Sequence, residues 1–185
     1  NQIAGNKETR KQGKTWSPQP PLSESKIEHT VTLAANQIKV DNARRYRRPV
    51  HIILCSGKLL KAKFGEAAAA GVIGLIEQLA AITAKHRSIP VKIISPDDAL
   101  RLAPFGLTPV EPTNAWAIKN LLRDVDRWLT RKGQAIGSLV IIGGDDLIPF
   151  HRLPNPTDDS DPDIPSDNPY GTIDENYFVP EWAVG

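Results

Sequence analysis

Pro49-Val50-His51-Ile52-Ile53-Leu54-Cys55, closed by Ser56-Gly57, is the run on which the fold class turns. Near-continuous hydrophobicity over so short a length suits a strand covered on both faces, as in a parallel sheet. An alanine-rich segment follows, from Glu66 to about His86, in which Val72, Leu75, Ile76, Leu79 and Ile82 fall at helical spacing. That spacing predicts one buried apolar stripe. Gly71 and Gly74 weaken this helix, but they would permit close packing on a sheet.

The alternation continues downstream. Ile89-Pro90-Val91-Lys92-Ile93-Ile94 reads as a second strand. Ser95-Pro96-Asp97-Asp98 then opens a short helix, with serine as cap, proline first and two acids at the positive end of the dipole. A further helix starts at Thr113 after Glu111-Pro112, with Ile118, Leu121, Leu122, Val125, Trp128 and Leu129 as its buried stripe and Gly133 as its stop. The third strand, Leu139-Val140-Ile141-Ile142, ends at Gly143-Gly144-Asp145-Asp146. Strands separated by helices give βαβ units, hence an α/β three-layer αβα fold with a mainly parallel sheet. Parallel strands are expected near residues 50–55, 90–94 and 138–142, and long helices near 66–86 and 113–132. Thr30 to Val40 alternates in part and reads as an added edge strand. Chemistry in such a sheet gathers at the C-terminal strand ends, here Ser56-Gly57, Ser95-Pro96 and Gly143 to Asp146.

The chain has 185 residues, with 40% hydrophobic and 24% charged and a mean hydropathy of −0.31. That suits one ordinary domain plus a tail. No unbroken apolar run approaches the 18 or so residues of a membrane helix, so no membrane partner is expected. A lone cysteine, Cys55, excludes an intrachain disulfide and a CxxC zinc site. Methionine is absent and the first residue is Asn1, so the sequence reads as a piece of something longer.

The net charge of +2 hides a gradient. Residues 1–62 carry 12 Lys/Arg against 4 Asp/Glu, and residues 151–185 carry 1 against 8. Residues 1–28 are polar and basic and contain Ser17-Pro18-Gln19-Pro20-Pro21, a flexible arm or linker ahead of an α/β subdomain over 29–185. Lys7, Arg10, Lys11 and Lys14 lack aromatic interleaving beyond Trp16, so the arm reads as a solvated tail rather than a nucleic-acid binder. Arg44-Arg45-Tyr46-Arg47-Arg48 reads as a solvated turn into the first strand, free to pair with the acidic C-terminal loop.

Four groups of residues are candidates for chemistry. Cys55 and His51 share a strand face, but four residues span roughly 13 Å, too far for a hydrogen bond. Cys55 is therefore read as a buried structural cysteine. His86 ends a helix where cations suit the dipole, and His151 reads as a solvated loop histidine. Gly143 to Asp146 lacks GxGxxG and GxxxxGK[ST], so the glycines serve a sharp turn and Asp145 or Asp146 bonds loop amides. Asp159, Asp161 and Asp163 alternate as in a calcium loop. Ile164 and Tyr170 stand where an EF-hand needs glycine and glutamate. An irregular calcium site and an acidic surface loop are the two readings of that run.

The most specific stretch begins at Leu139. It runs through Gly143-Gly144-Asp145-Asp146-Leu147-Ile148-Pro149 to Ser166-Asp167-Asn168-Pro169-Tyr170-Gly171. It closes with Asp174-Glu175-Asn176-Tyr177-Phe178-Val179-Pro180-Glu181-Trp182-Ala183-Val184-Gly185. This resembles the gingipain-type cysteine peptidases, with their caspase-like fold, over about residues 48–185. In them an apolar strand runs into a glycine-aspartate turn and Ile-Pro. A Ser-Asp…Tyr-Gly segment and an aromatic-rich strand ending in Val-Gly-Arg follow. The resemblance implies the N-terminal subdomain of a peptidase acting on protein or peptide substrates. The family's catalytic histidine and cysteine motifs lie beyond Val-Gly-Arg, and His51, Cys55 and His151 do not match them, so no catalytic residue is assigned here. The expected partner is a C-terminal catalytic subdomain or second chain that continues the sheet past an edge rich in Tyr177, Phe178 and Trp182. A caspase-like interaction module without a dyad and a flavodoxin-like nucleotide- or metal-binding domain are the alternatives.

Overall fold

A computed structural model of the chain describes residues 46–155, 160–174 and 179–185, together with Thr32, Arg44 and Tyr177. Two compact units divide at Val40/Asp41, and the second, Asp41–Gly185, holds the sheet. The basic arm lies outside the described residues. So does the edge strand read over 30–40, except for Thr32, which is helical rather than extended.

Four strands form one parallel sheet. They are β1 (Arg48–Leu54), β2 (Val91–Ile94), β3 (Gln134–Ile141) and β6 (Ala183–Val184), in the order β2-β1-β3-β6. Helices α1 (Gly57–Phe64) and α2 (Glu66–Arg87) follow β1. The short α3 (Ala99–Leu102) and the long α4 (Ala115–Thr130) precede β3. An antiparallel hairpin, β4 (His151–Pro154) with β5 (Asp163–Ser166), and a 3-10 turn (Asn168–Gly171) connect β3 to β6. The layers are therefore helix, sheet, helix, as the alternation of apolar runs predicts.

The pleat of β1 sorts its side chains between the layers. Val50, Ile52 and Leu54 enter the main core with Ile118, Leu121, Leu122, Val125 and Leu129 of α4. Ile53 and Cys55 face the opposite way, onto Ile76 and Ala80 of α2. Seven residues of α4 are buried but only three of α2, namely Ala69, Ile76 and Ala80. At roughly 1.5–3 kcal/mol per fully buried large aliphatic, α4 anchors the sheet and α2 covers it lightly.

Several expectations need correction. Leu75, Leu79 and Ile82 are exposed rather than buried, because the inward face of α2 carries Ala69, Ile76 and Ala80 instead. A Cβ at Gly71 or Gly74 would meet nothing within 4 Å, so these glycines do not serve packing on the sheet. α2 is also long and apolar enough to cross a membrane, its alanines supplying what no unbroken run shows. The strand β3 begins five residues before Leu139. Its register on β1 shifts at Gly137, where a Cβ would come within 2.7 Å of Pro49 Cβ. The cap of α3 is Asp98, not Ser95, accepting from Leu100 N and Arg101 N at 2.8 and 3.2 Å. Trp182 is 4% exposed inside the core rather than at a wet edge, and β6 is the short Ala183–Val184. Phe178 lies outside the described residues.

Candidate functional site

At the C-terminal ends of the strands, Ser56 leaves β1 in extended conformation and caps α1, its Oγ accepting from Leu59 N at 3.1 Å. The next two amides of that helix point toward β2. Gly57 N donates to Ser95 Oγ at 3.3 Å and Lys58 N donates to Asp97 Oδ2 at 2.5 Å. Ser95 Oγ in turn donates to Asp97 Oδ1 at 2.9 Å. Free helix N-terminal amides bind anions. Here an internal carboxylate already fills that role, which joins the ends of β1 and β2.

The end of β3 is closed in the same manner. Gly143 has φ +117°, and a Cβ there would lie 2.6 Å from Leu147, so only glycine fits the turn. Asp145 accepts from Phe150 N at 2.7 Å and pairs with Arg152. Asp146 pairs with Lys63 of α1, whose ammonium holds its carboxyl below the usual range. The amide bond expected of this turn is made by Asp145, while Asp146 ties the turn to α1.

Cys55 is buried among Ile53, Ile76 and Ala80 and is 3% exposed. Burial pushes its thiol up to about 11, against a smaller opposing effect of Arg101. His51 turns to β3 instead, with Nδ1 2.5 Å from Ser138 Oγ. His86 is exposed at the end of α2. His151 is not a solvated loop histidine: it opens β4, is 1% exposed, and has no hydrogen-bond partner on either ring nitrogen among the described residues. It stands edge-on between Trp116 and Tyr170, each at 4.6 Å between ring centroids. Burial, and secondarily Lys119, lowers it to about 4.

Two buried charges on α4, at positions seven apart, leave little trace in the sequence pattern. Lys119 Nζ donates to Thr172 Oγ1 at 2.6 Å and to the Asp174 carbonyl at 2.5 Å, tying α4 to the segment before β6. Asp126 accepts a fork from Arg44 at 2.9 and 3.1 Å and the Ile136 amide at 3.0 Å. Arg44 also donates to the Ile136 carbonyl at 3.0 Å and lies 5.0 Å over the Trp182 ring. The arginine run is therefore not wholly a solvated turn: Arg44 is an inner staple, whereas Tyr46 is 92% exposed. A hydrophobic-periodicity reading assigns Lys119 and Asp126 to the polar face, which is why both escaped it.

For calcium, Asp159 lies outside the described residues, and Asp163 Oδ1 sits 4.0 Å from Arg152 Nη1. Among the described residues, no three His, Cys, Asp or Glu side chains gather to hold a metal ion. The motif-bearing segment packs firmly. Tyr170 is fully buried and donates through its hydroxyl to the Pro149 carbonyl at 2.6 Å. A Cβ at Gly171 would strike Val184, Pro180 and Trp182 within about 3 Å. Ser56, Ser95, Asp97, Asp145 and Asp146 at the described strand ends are thus each bonded within the chain. No family model, curated protein or solved structure matches the chain.

Proposed function

We propose that the chain is the N-terminal, dyad-free half of a gingipain-like cysteine endopeptidase, with the Cys/His dyad supplied by polypeptide outside residues 1–185. The observation that carries this reading is the path of the segment bearing the resemblance. It leaves β3 through the Gly143–Asp146 turn, sinks Tyr170 into the core, and returns beside β3 as the parallel strand β6. That path supports a sheet built to be continued, because β6 is paired on one side among the described residues. The whole enzyme would attack a peptide carbonyl with a histidine-activated thiolate, and the resemblance suggests cleavage after basic residues. This chain contributes sheet and cleft wall. Its own Cys55 is read as structural, since it is buried and burial pushes its thiol up to about 11.

Hydrolysis of fluorogenic peptides ending in Arg or Lys separates the alternatives. The 185-residue chain is expected to be inert and the parent protein active. An inert parent with an intact fold would leave a dyad-free interaction module. A flavodoxin-like phosphate site at this edge is disfavoured by the Asp97 carboxylate, which occupies the amide where a phosphate would sit. Nucleotide binding by calorimetry would reverse that preference.

A further inference from the structure

The two ends of the parallel sheet treat their cations differently. Segments that leave the strands carry Lys58, Lys61, Lys63, Arg101 and Arg152, paired in turn with Glu111, Glu66, Asp146, Glu77 and Asp145. Because β1, β2 and β3 are parallel, the segments that enter them gather at the opposite end. These carry Arg47 and Arg48 at the start of β1, Lys85 and Arg87 in the last turn of α2, and Arg131 and Lys132 between α4 and β3. Among the described residues none of these six has a carboxylate partner. Arg47 donates to Thr130 Oγ1 at 3.0 Å, and Lys132 lies 4.0 Å over the Trp128 ring. Asp124, Asp126 and Glu181, toward this end, already serve Arg127, Arg44 and the Ile173 amide.

Helix dipoles favour cations at the C-termini of α2 and α4, but they do not account for Arg48, the first residue of a strand. The six cations also lie on all three layers, since α2 covers one face of the sheet and α4 the other. Such an array is a charged plane rather than a track. Tyr46, 92% exposed beside Arg47, adds an aromatic ring of the kind that settles among lipid headgroups. We propose that this end of the sheet docks on the anionic surface of a phospholipid bilayer, peripherally and through charge. A plane of headgroups supplies counter-charges to all three layers at once, whereas a nucleic-acid strand would follow one line of them. On the peptidase reading the cleft wall, at the other end of the sheet, then faces away from the lipid. The docking itself does not rest on that reading.

Co-sedimentation of the 185-residue chain with mixed phosphatidylglycerol and phosphatidylcholine vesicles tests the docking. Binding is expected to these and not to pure phosphatidylcholine, and it should weaken as salt rises. A basic residue at an anionic surface is worth roughly fivefold in affinity. Arg48→Gln with Arg131→Gln, and separately Lys85→Gln with Arg87→Gln, should therefore each weaken binding about 25-fold. All four side chains are exposed, so the circular dichroism of both variants should match that of the native chain. Lys58→Gln with Lys61→Gln, at the other end of the sheet, should change binding less than about twofold. No binding to the mixed vesicles, equal binding to pure phosphatidylcholine, or equal losses in all three double variants would overturn the proposal. So would binding that neither Arg48→Gln with Arg131→Gln nor Lys85→Gln with Arg87→Gln alters, which would assign it to the basic arm at residues 1–28. Tighter binding to oligothymidylate than to the vesicles, with the same dependence on these residues, would make a nucleic-acid strand the partner instead.

Discussion

His151 and Cys55 show how burial decides chemistry one residue at a time. A histidine held neutral between two aromatic rings resists protonation, so its pKa in the folded chain, about 4, lies below its unfolded value of 6.5. Its contribution is fully present above pH 6.5 and is lost as pH falls toward 4, where the unfolded chain takes up a proton that the folded chain refuses. The loss amounts to roughly 3 kcal/mol at most. Urea midpoints measured from pH 7 to pH 4 should therefore fall more steeply for the native chain than for His151→Phe, which keeps the ring packing without the titration. Cys55 should react slowly with a neutral maleimide under native conditions and quickly after unfolding; rapid native modification would contradict its place beneath α2. The sequence correctly made Cys55 a buried cysteine, because the apolar run that carries it is covered on both faces. It misplaced His151, because nothing local announces that Trp116 and Tyr170, 35 and 19 positions away, close over it.

Among the elements, α4 was legible and α2 was misleading for one physical reason. The apolar residues of α4 fall on one face and its charges mostly on the other, so period and packing agree. In α2 the alanines outnumber the large aliphatics, and the inward face mixes Ile76 with Ala69 and Ala80, so size does not mark it. Periodicity located the stripe without telling which way it points. The first helix, α1, escaped because its lysines dilute Leu59 and Leu60, although Ser56 is a legible cap. The Asp126–Arg44–Ile136 junction is the joint that periodicity missed. Both charged side chains are under a tenth exposed, so Asp126→Ala leaves an uncompensated guanidinium and the Ile136 amide without a partner. A destabilisation of about 3–5 kcal/mol is expected in equilibrium urea unfolding. A change under about 1 kcal/mol, the range of an exposed pair, would show that Arg44 finds water instead.

For the whole molecule, three apolar runs and two intervening helical patterns were enough to predict a parallel three-layer sheet, because parallel strands leave few alternatives once crossovers are helical. The fourth strand was visible only as a family-like segment, and only Ala183–Val184 of it are strand, with Trp182 just before them in the core. What the molecule does depends on whether the described edge is a wall of a cleft whose dyad lies elsewhere. The most direct measurement treats the parent protein with a peptidyl acyloxymethyl ketone ending in arginine and maps the modified cysteine by mass spectrometry. The predicted result is a single labelled cysteine outside residues 1–185, with Cys55 unmodified. Labelling of Cys55, or of no cysteine in a folded parent protein, would contradict the half-peptidase reading.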